Sequence, residues 1–84
     1  MNHSKINVTI YSKENCPNCL KAKNKLQKYD PKILILEKDI SREDFFKKFP
    51  AARQVPQIII NKDHIGGYNE LEKWLDQNSF NEDF

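Results

Sequence analysis

Two cysteines stand in this 84-residue chain, and only two residues separate them, in the segment Cys16-Pro17-Asn18-Cys19. A disulfide between them closes a loop too small to matter much as a structural staple. The spacing therefore points to chemistry: reversible thiol–disulfide exchange or metal ligation. Exchange requires a thiolate, and a thiolate needs surroundings that favour negative charge near neutral pH. Cys16 has them if a helix starts here, because a first turn presents unpaired N–H groups and the positive end of the helix dipole. Lys13, three residues earlier, adds a full positive charge. Such sites lower a cysteine pKa to about 3.5–7.5, against about 8.5 for a free thiol. Cys19 lies one turn further in, on the apolar stripe, which makes it the resolving thiol and Cys16 the attacking one. Zinc is the competing reading, since paired cysteines at this spacing are half of a structural site. The other half is missing: His3 and His64 read as surface residues, and no second cysteine pair or carboxylate cluster completes four ligands. No metal is expected.

The elements around the pair support a strand-to-helix junction. Over residues 5–11, Ile6, Val8 and Ile10 alternate with polar residues, as on one face of a strand. Pro17 suits the first helical position, where its missing N–H is not needed. Cys19, Ala22, Leu26 and Tyr29 then recur at helical spacing until Pro31. The run Ile33, Leu34, Ile35, Leu36 reads as a parallel strand buried on both faces. Ser41 with Asp44 resembles a capping box for a second helix carrying Phe45, Phe46 and Phe49, ended by Pro50. The run 57–60, a turn through Asn61, Lys62 and Asp63, and His64-Ile65 read as a hairpin. After Gly66-Gly67, Asn69 with Glu72 supplies a further capping pattern, and Leu71, Trp74 and Leu75 form the stripe of a third helix. The order is β-α-β-α-β-β-α, an α/β class. Tyr29, Phe45, Phe46, Phe49 and Trp74 are expected in the core.

Composition bounds the setting. At 38% hydrophobic and 31% charged residues, the chain reads as one globular domain over residues 1–84, with a core at about 5–79 and a frayed tail at 80–84. No apolar run approaches the roughly 20 residues needed to span a bilayer, and the polar first residues do not read as a secretory leader. A cytoplasmic protein with no membrane association is expected. A net charge of +2 is too small to argue for nucleic acid, and the cluster Lys21, Lys23, Lys25 and Lys28 reads first as a solvated helix face, with attraction of anionic partners as the alternative.

Three segments carry a family resemblance: Tyr11-Ser12-Lys13 followed by Cys16-Pro17-Asn18-Cys19, then Ala52-Arg53-Gln54-Val55-Pro56-Gln57, then Ile65-Gly66-Gly67-Tyr68-Asn69 with Leu71. In order and spacing they are similar to the YSKxxCPYC, ARTVPQ and IGGxxxL signatures of the glutaredoxins, across residues 5–78. That resemblance implies a thioredoxin-like fold, a central four-stranded mixed sheet flanked by three helices, and a glutathione site beside Cys16. By family position Lys13 would meet the glycine carboxylate of glutathione, and Arg53 and Gln54 would stand beside the tripeptide. Val55 would pair with its backbone ahead of a cis bond to Pro56. Gly67, Tyr68 and Asn69 would receive the γ-glutamyl carboxylate at a helix start. Two residues depart from the family pattern: Asn18 replaces a tyrosine, removing an aromatic wall, and Gln54 replaces a threonine.

The activity implied is reduction of protein disulfides and protein–glutathione mixed disulfides by a monomer, with glutathione as electron donor. Ribonucleotide reductase is a partner suggested by the family, although no residue here singles it out. Two rivals remain open: a thioredoxin-like reductant recharged by a flavoenzyme, and a dimer holding a [2Fe–2S] cluster between two Cys16 thiolates and two glutathiones.

Overall fold

The computed structural model describes residues 6–52 and 54–78. Arg53, His3, Phe80, Phe84 and the tail expected to fray lie outside the described residues. The chain runs β1 (Val8–Ser12), α1 (Pro17–Lys25), a single 3-10 turn (Gln27–Tyr29), β2 (Lys32–Ile35), α2 (Arg42–Lys48), β3 (Gln57–Ile60), β4 (Asp63–Gly66) and α3 (Tyr68–Asn78). The strands form one mixed sheet in the order β2-β1-β3-β4, with β2 parallel to β1 and the other neighbours antiparallel. Among the described residues no helix is long and apolar enough to cross a membrane.

Alternation along β1 sorts the core into two layers. Val8 and Ile10 sit opposite Ile60 and Ile58, and this face is covered by Ala22, Leu26, Tyr29 and Leu71 from the α1 and α3 side. Tyr11 faces the other way and packs with Phe45 and Phe49, its ring 5.1 Å from that of Phe49. The sheet is thus sandwiched between α1 with α3 on one side and α2 on the other.

Several local expectations are met, and others are corrected. Ser41 Oγ accepts the Asp44 N–H at 3.0 Å, capping α2. The first helix stops at Lys25, and Leu26 and Tyr29 reach the core from a C-cap and a 3-10 turn. Asp30, in the left-handed region at φ 53, ends that turn before Pro31. The strand of Ile33, Leu34 and Ile35 is not buried on both faces: it lies at the edge of the sheet, and its residues are half-buried. Its outer side is occupied by its own loop, where Ile35 N–H donates to Asp39 Oδ2 at 2.9 Å and Ile35 C=O accepts from Lys38 and Asp39. Phe46 is not core; it is 39% exposed and meets Phe45 edge-on. Trp74 is half-buried against the α1 and α3 layer.

The β3–β4 hairpin turns through Asn61 and Lys62, both at positive φ (51 and 75), between the paired residues Ile60 and Asp63. That is a two-residue turn of the kind that favours Asn followed by Gly. A side chain in the left-handed region costs about 1–2 kcal/mol, partly offset because glycine loses more chain entropy on folding. Lys62→Gly is expected to stabilise the fold by about 0.5–1 kcal/mol, read as a higher urea midpoint with an unchanged slope. A lower midpoint would refute this account of the turn.

Candidate active site

Cys16 is the N-cap of α1. Its backbone is extended (φ −120, ψ 103), Pro17 follows in the first turn, and Cys16 Sγ accepts the Cys19 N–H at 3.2 Å. A sulfur thus fills the place a serine or aspartate oxygen takes at most helix starts. Asn15, at φ 58, turns the chain from the end of β1 into this cap. Cys16 and Cys19 are joined by a disulfide with their Cα atoms 5.2 Å apart. Cys16 is half-buried, whereas Cys19 is 1% exposed and continues the stripe of Ala22 and Leu26. When the bond is reduced, the sulfur at the cap is the one that backbone donors and the helix dipole stabilise as an anion.

The opposing wall is the segment before β3. The Val55–Pro56 peptide bond is cis, and Val55 C=O lies 3.9 Å from Cys16 Sγ. Pro56 is buried, and Gly67 lies behind it, where a Cβ would be in ordinary van der Waals contact with Pro56 O at 3.5 Å. A network that no local spacing announces fixes this wall. Buried Gln57 donates from Nε2 to Gln54 C=O at 2.8 Å, and its Oε1 lies 2.7 Å from His64 Nε2. Since a carbonyl only accepts, the amide orientation is determined, and His64 carries a proton on Nε2. The His64 ring packs on Phe49 at 4.6 Å between centroids. His64 is exposed, as expected, and from the surface it also braces the loop beside the cysteines. Holding the Gln54 carbonyl also directs the Val55 N–H the opposite way, because the two lie on opposite sides of a trans peptide.

Two grooves meet at Cys16. One, of about 360 Å³, reaches toward Gln54 and Val55; the other, of about 680 Å³, reaches toward Leu20, Lys23 and Ile35. Lys13 is exposed and lines both. Glu14 forms an ion pair with Lys38, whose hydrogen bond and charge hold its carboxyl below the usual range and raise the lysine in return.

Gly67, Tyr68 and Asn69 line neither groove and stand at the start of α3, behind Pro56. That helix is not capped by the expected pair of Asn69 and Glu72. It begins earlier: Glu70 Oε1 accepts the Gly67 N–H at 3.0 Å, while Glu72 takes the Tyr68 hydroxyl at 3.1 Å. Partial burial and then this bond to Glu72 raise the pKa of Tyr68. The spacing of Gly67 and Glu70 carried the signal, a glutamate three residues after a cap. Gly66, at φ 120, must stay small, since a Cβ would meet Glu70 Cγ at 3.0 Å. Among the described residues no three His, Cys, Asp or Glu side chains group as metal ligands.

The sequence profile of the family described as Glutaredoxin matches residues 8–65. Glutaredoxin 1 of Escherichia coli (strain K12) is 30% identical over 78 residues, covering 82% of this chain and 92% of that protein. Glutaredoxin 3 of the same strain is 40% identical over 68 residues, covering 77% and 81%. Among solved structures, glutaredoxin 1 from Francisella tularensis in complex with cacodylate superimposes with a TM-score of 0.73 at 28% identity, over 86% of this chain and 94% of that one. The thioredoxin-like fold expected from the motifs is the fold observed.

The unequal burial of the two sulfurs yields a direct test. In the freshly reduced protein, limiting iodoacetamide is expected to label Cys16 faster than Cys19 by on the order of tenfold or more, read by peptide mass spectrometry. Equal labelling would remove the distinction between the thiols.

Proposed function

The chain belongs to the glutaredoxin family, whose members are thiol–disulfide oxidoreductases, and from that premise we propose that it reduces protein disulfides and protein–glutathione mixed disulfides at the expense of glutathione. The observation that carries this reading is the sulfur of Cys16 at the cap of α1, half-buried, with the Cys19 sulfur bonded to it from the core. On a mixed disulfide, the Cys16 thiolate attacks the glutathione sulfur and the protein thiolate leaves, taking a proton. A second glutathione thiolate then attacks the glutathione held on Cys16. Oxidised glutathione departs, and the Cys16 thiolate is restored. On a protein disulfide, the Cys16 thiolate attacks one partner sulfur, the partner's S–S bond breaks, and its other sulfur leaves as a thiolate that takes a proton. Cys19 attacks Cys16 in turn, releasing the reduced partner and leaving the intramolecular disulfide, which two glutathiones reduce.

Glutathione is assigned to the groove beside Val55. Its backbone would pair with the Val55 main chain, whose N–H direction Gln57 fixes through the Gln54 carbonyl. Lys13 would meet a carboxylate of the tripeptide, with Gln54 at its side. With Glu70 engaged on Gly67, the N–H groups of Tyr68 and Asn69 are the donors at the start of α3 that suit the γ-glutamyl carboxylate. Arg53 keeps the role its family position implies, outside the described residues. The protein partners, ribonucleotide reductase among them, remain those the family suggests. The setting proposed is the cytoplasm, where glutathione is kept reduced.

The test is turnover of three variants on two substrates, a small glutathione mixed disulfide and a protein disulfide. Cys16→Ser is expected to lose both activities. Cys19→Ser is expected to keep much of the first and lose most of the second, because a bulky partner is released by an internal thiol at high effective concentration. Lys13→Glu is expected to lower kcat/KM for the glutathione substrate about tenfold, the scale of one charge-assisted contact. Activity that survives in Cys16→Ser, with glutathione trapped on Cys19, would overturn the assignment. Unchanged kinetics in Lys13→Glu would remove Lys13 from the site.

A further inference from the structure

The glutathione held on Cys16 is assigned to one of the two grooves that meet there, which leaves the other without a role. The wider groove continues from the cysteine along the first turns of α1 to the end of β2, and Pro17, Leu20 and Ile35 give it apolar walls. Leu20 is 59% exposed, more than any other large hydrophobic side chain among the described residues. Its N–H bonds Cys16 C=O at 3.1 Å, so it stands one helical turn from the reactive residue. One exposed leucine alone would mean little, but Pro17, Leu20 and Ile35 line one continuous groove that reaches Cys16, and an apolar strip rimmed by charge is the form interaction surfaces take.

Charge narrows the occupant. Three ionisable side chains border this groove: Lys13, Glu14 and Lys23. Glu14 is paired with Lys38, and neither Lys13 nor Lys23 forms an ion pair with another described residue. The groove is therefore cationic at its rim and apolar along its wall. Free glutathione is anionic but brings no apolar side chain to set against Leu20 and Ile35, and a nucleic acid would find no aromatic ring here to stack on.

We propose that the wider groove seats the polypeptide flanking the disulfide of a protein substrate, and that the segment it fits carries an apolar side chain next to acidic ones. This rests on the exchange reaction at Cys16. With a partner sulfur bonded to Cys16, the partner chain lies along Leu20 and Ile35 with a carboxylate toward Lys23, while Lys13 and the groove beside Val55 stay open for glutathione. Leu20 and Lys23 are thus residues that select protein substrates.

The experiment uses the full chain and two synthetic peptides, each with one internal disulfide, flanked by Leu and Asp in one and by Ser and Lys in the other. Dithiothreitol is the reductant, so the peptide comparison does not depend on glutathione. A small glutathione mixed disulfide is assayed in parallel with glutathione, and its turnover alone tests the glutathione reading. The expected result is a kcat/KM about tenfold higher for the acidic, apolar peptide, carried by KM. In the double variant Leu20→Ser, Lys23→Glu the preference is expected to vanish, with turnover of the small substrate unchanged. Equal turnover of both peptides by the unaltered protein would overturn the proposal. So would an equal loss on the small substrate in the double variant, which would place free glutathione in the groove.

Discussion

The structure hangs on a helix whose first cap is also its reactive atom. Sγ of Cys16 takes the Cys19 N–H at the mouth of α1, where an oxygen ordinarily sits. Everything nearby serves to hold that sulfur in place. β1, central in the sheet, delivers the chain to it; Asn15 turns it; Pro17 starts the helix without needing a donor. Ala22 and Leu26 press this segment onto Val8, Ile10 and Ile58, and Cys19 is buried at its start. A helix of nine residues is too short to persist alone in water, so its cap exists only because this face is buried. Reactivity at one end and packing along the side are a single condition.

The second wall is built by a different logic. No regular element holds Val55 beside the sulfur; the segment is fixed by the buried amide of Gln57 and the ring of His64 resting on Phe49, with Gly67 lying behind Pro56. This brace ties β3, β4, α2 and the start of α3 to one short loop. It joins the aromatic layer under α2 to a site otherwise supported from the α1 side. The two core layers therefore meet at the cysteines, each contributing one wall.

What could be read from the sequence was what local chemistry decides. The alternation of Ile6, Val8 and Ile10, the Ser41 cap, the turn at Asn61 and Lys62, and the burial of Cys19 against the exposure of its neighbours all follow from residues a few positions apart. The errors share another cause. An apolar run such as Ile33 to Leu36 shows the same letters at the centre of a sheet or at its edge, and only strand order, a long-range property, separates the two. Phe46 continues a plausible helical stripe, but α2 is only seven residues long and offers one buried face to Tyr11. The bond between Gln57 and His64 joins residues on neighbouring strands, and no spacing rule announces it. At α3 the signal was present and misplaced: the glutamate that caps is Glu70, two positions ahead of the one singled out.

The edge position of β2 raises a hazard that the fold answers within a few residues. An open strand edge offers its backbone to any other strand, and that is how small sheet proteins stick to one another. At Ile35, however, both outward-facing backbone groups are already taken. The Asp39 carboxylate accepts the N–H, and the N–H groups of Lys38 and Asp39 fill the C=O. The loop that carries the chain away to α2 thus serves as a substitute partner strand. On this edge only the few residues from Lys32 to Leu34 are left as a template, and Lys32 puts a charge at its start. So short and charged a remnant makes β2 a poor template for intermolecular sheet extension, despite the half-buried isoleucines along it.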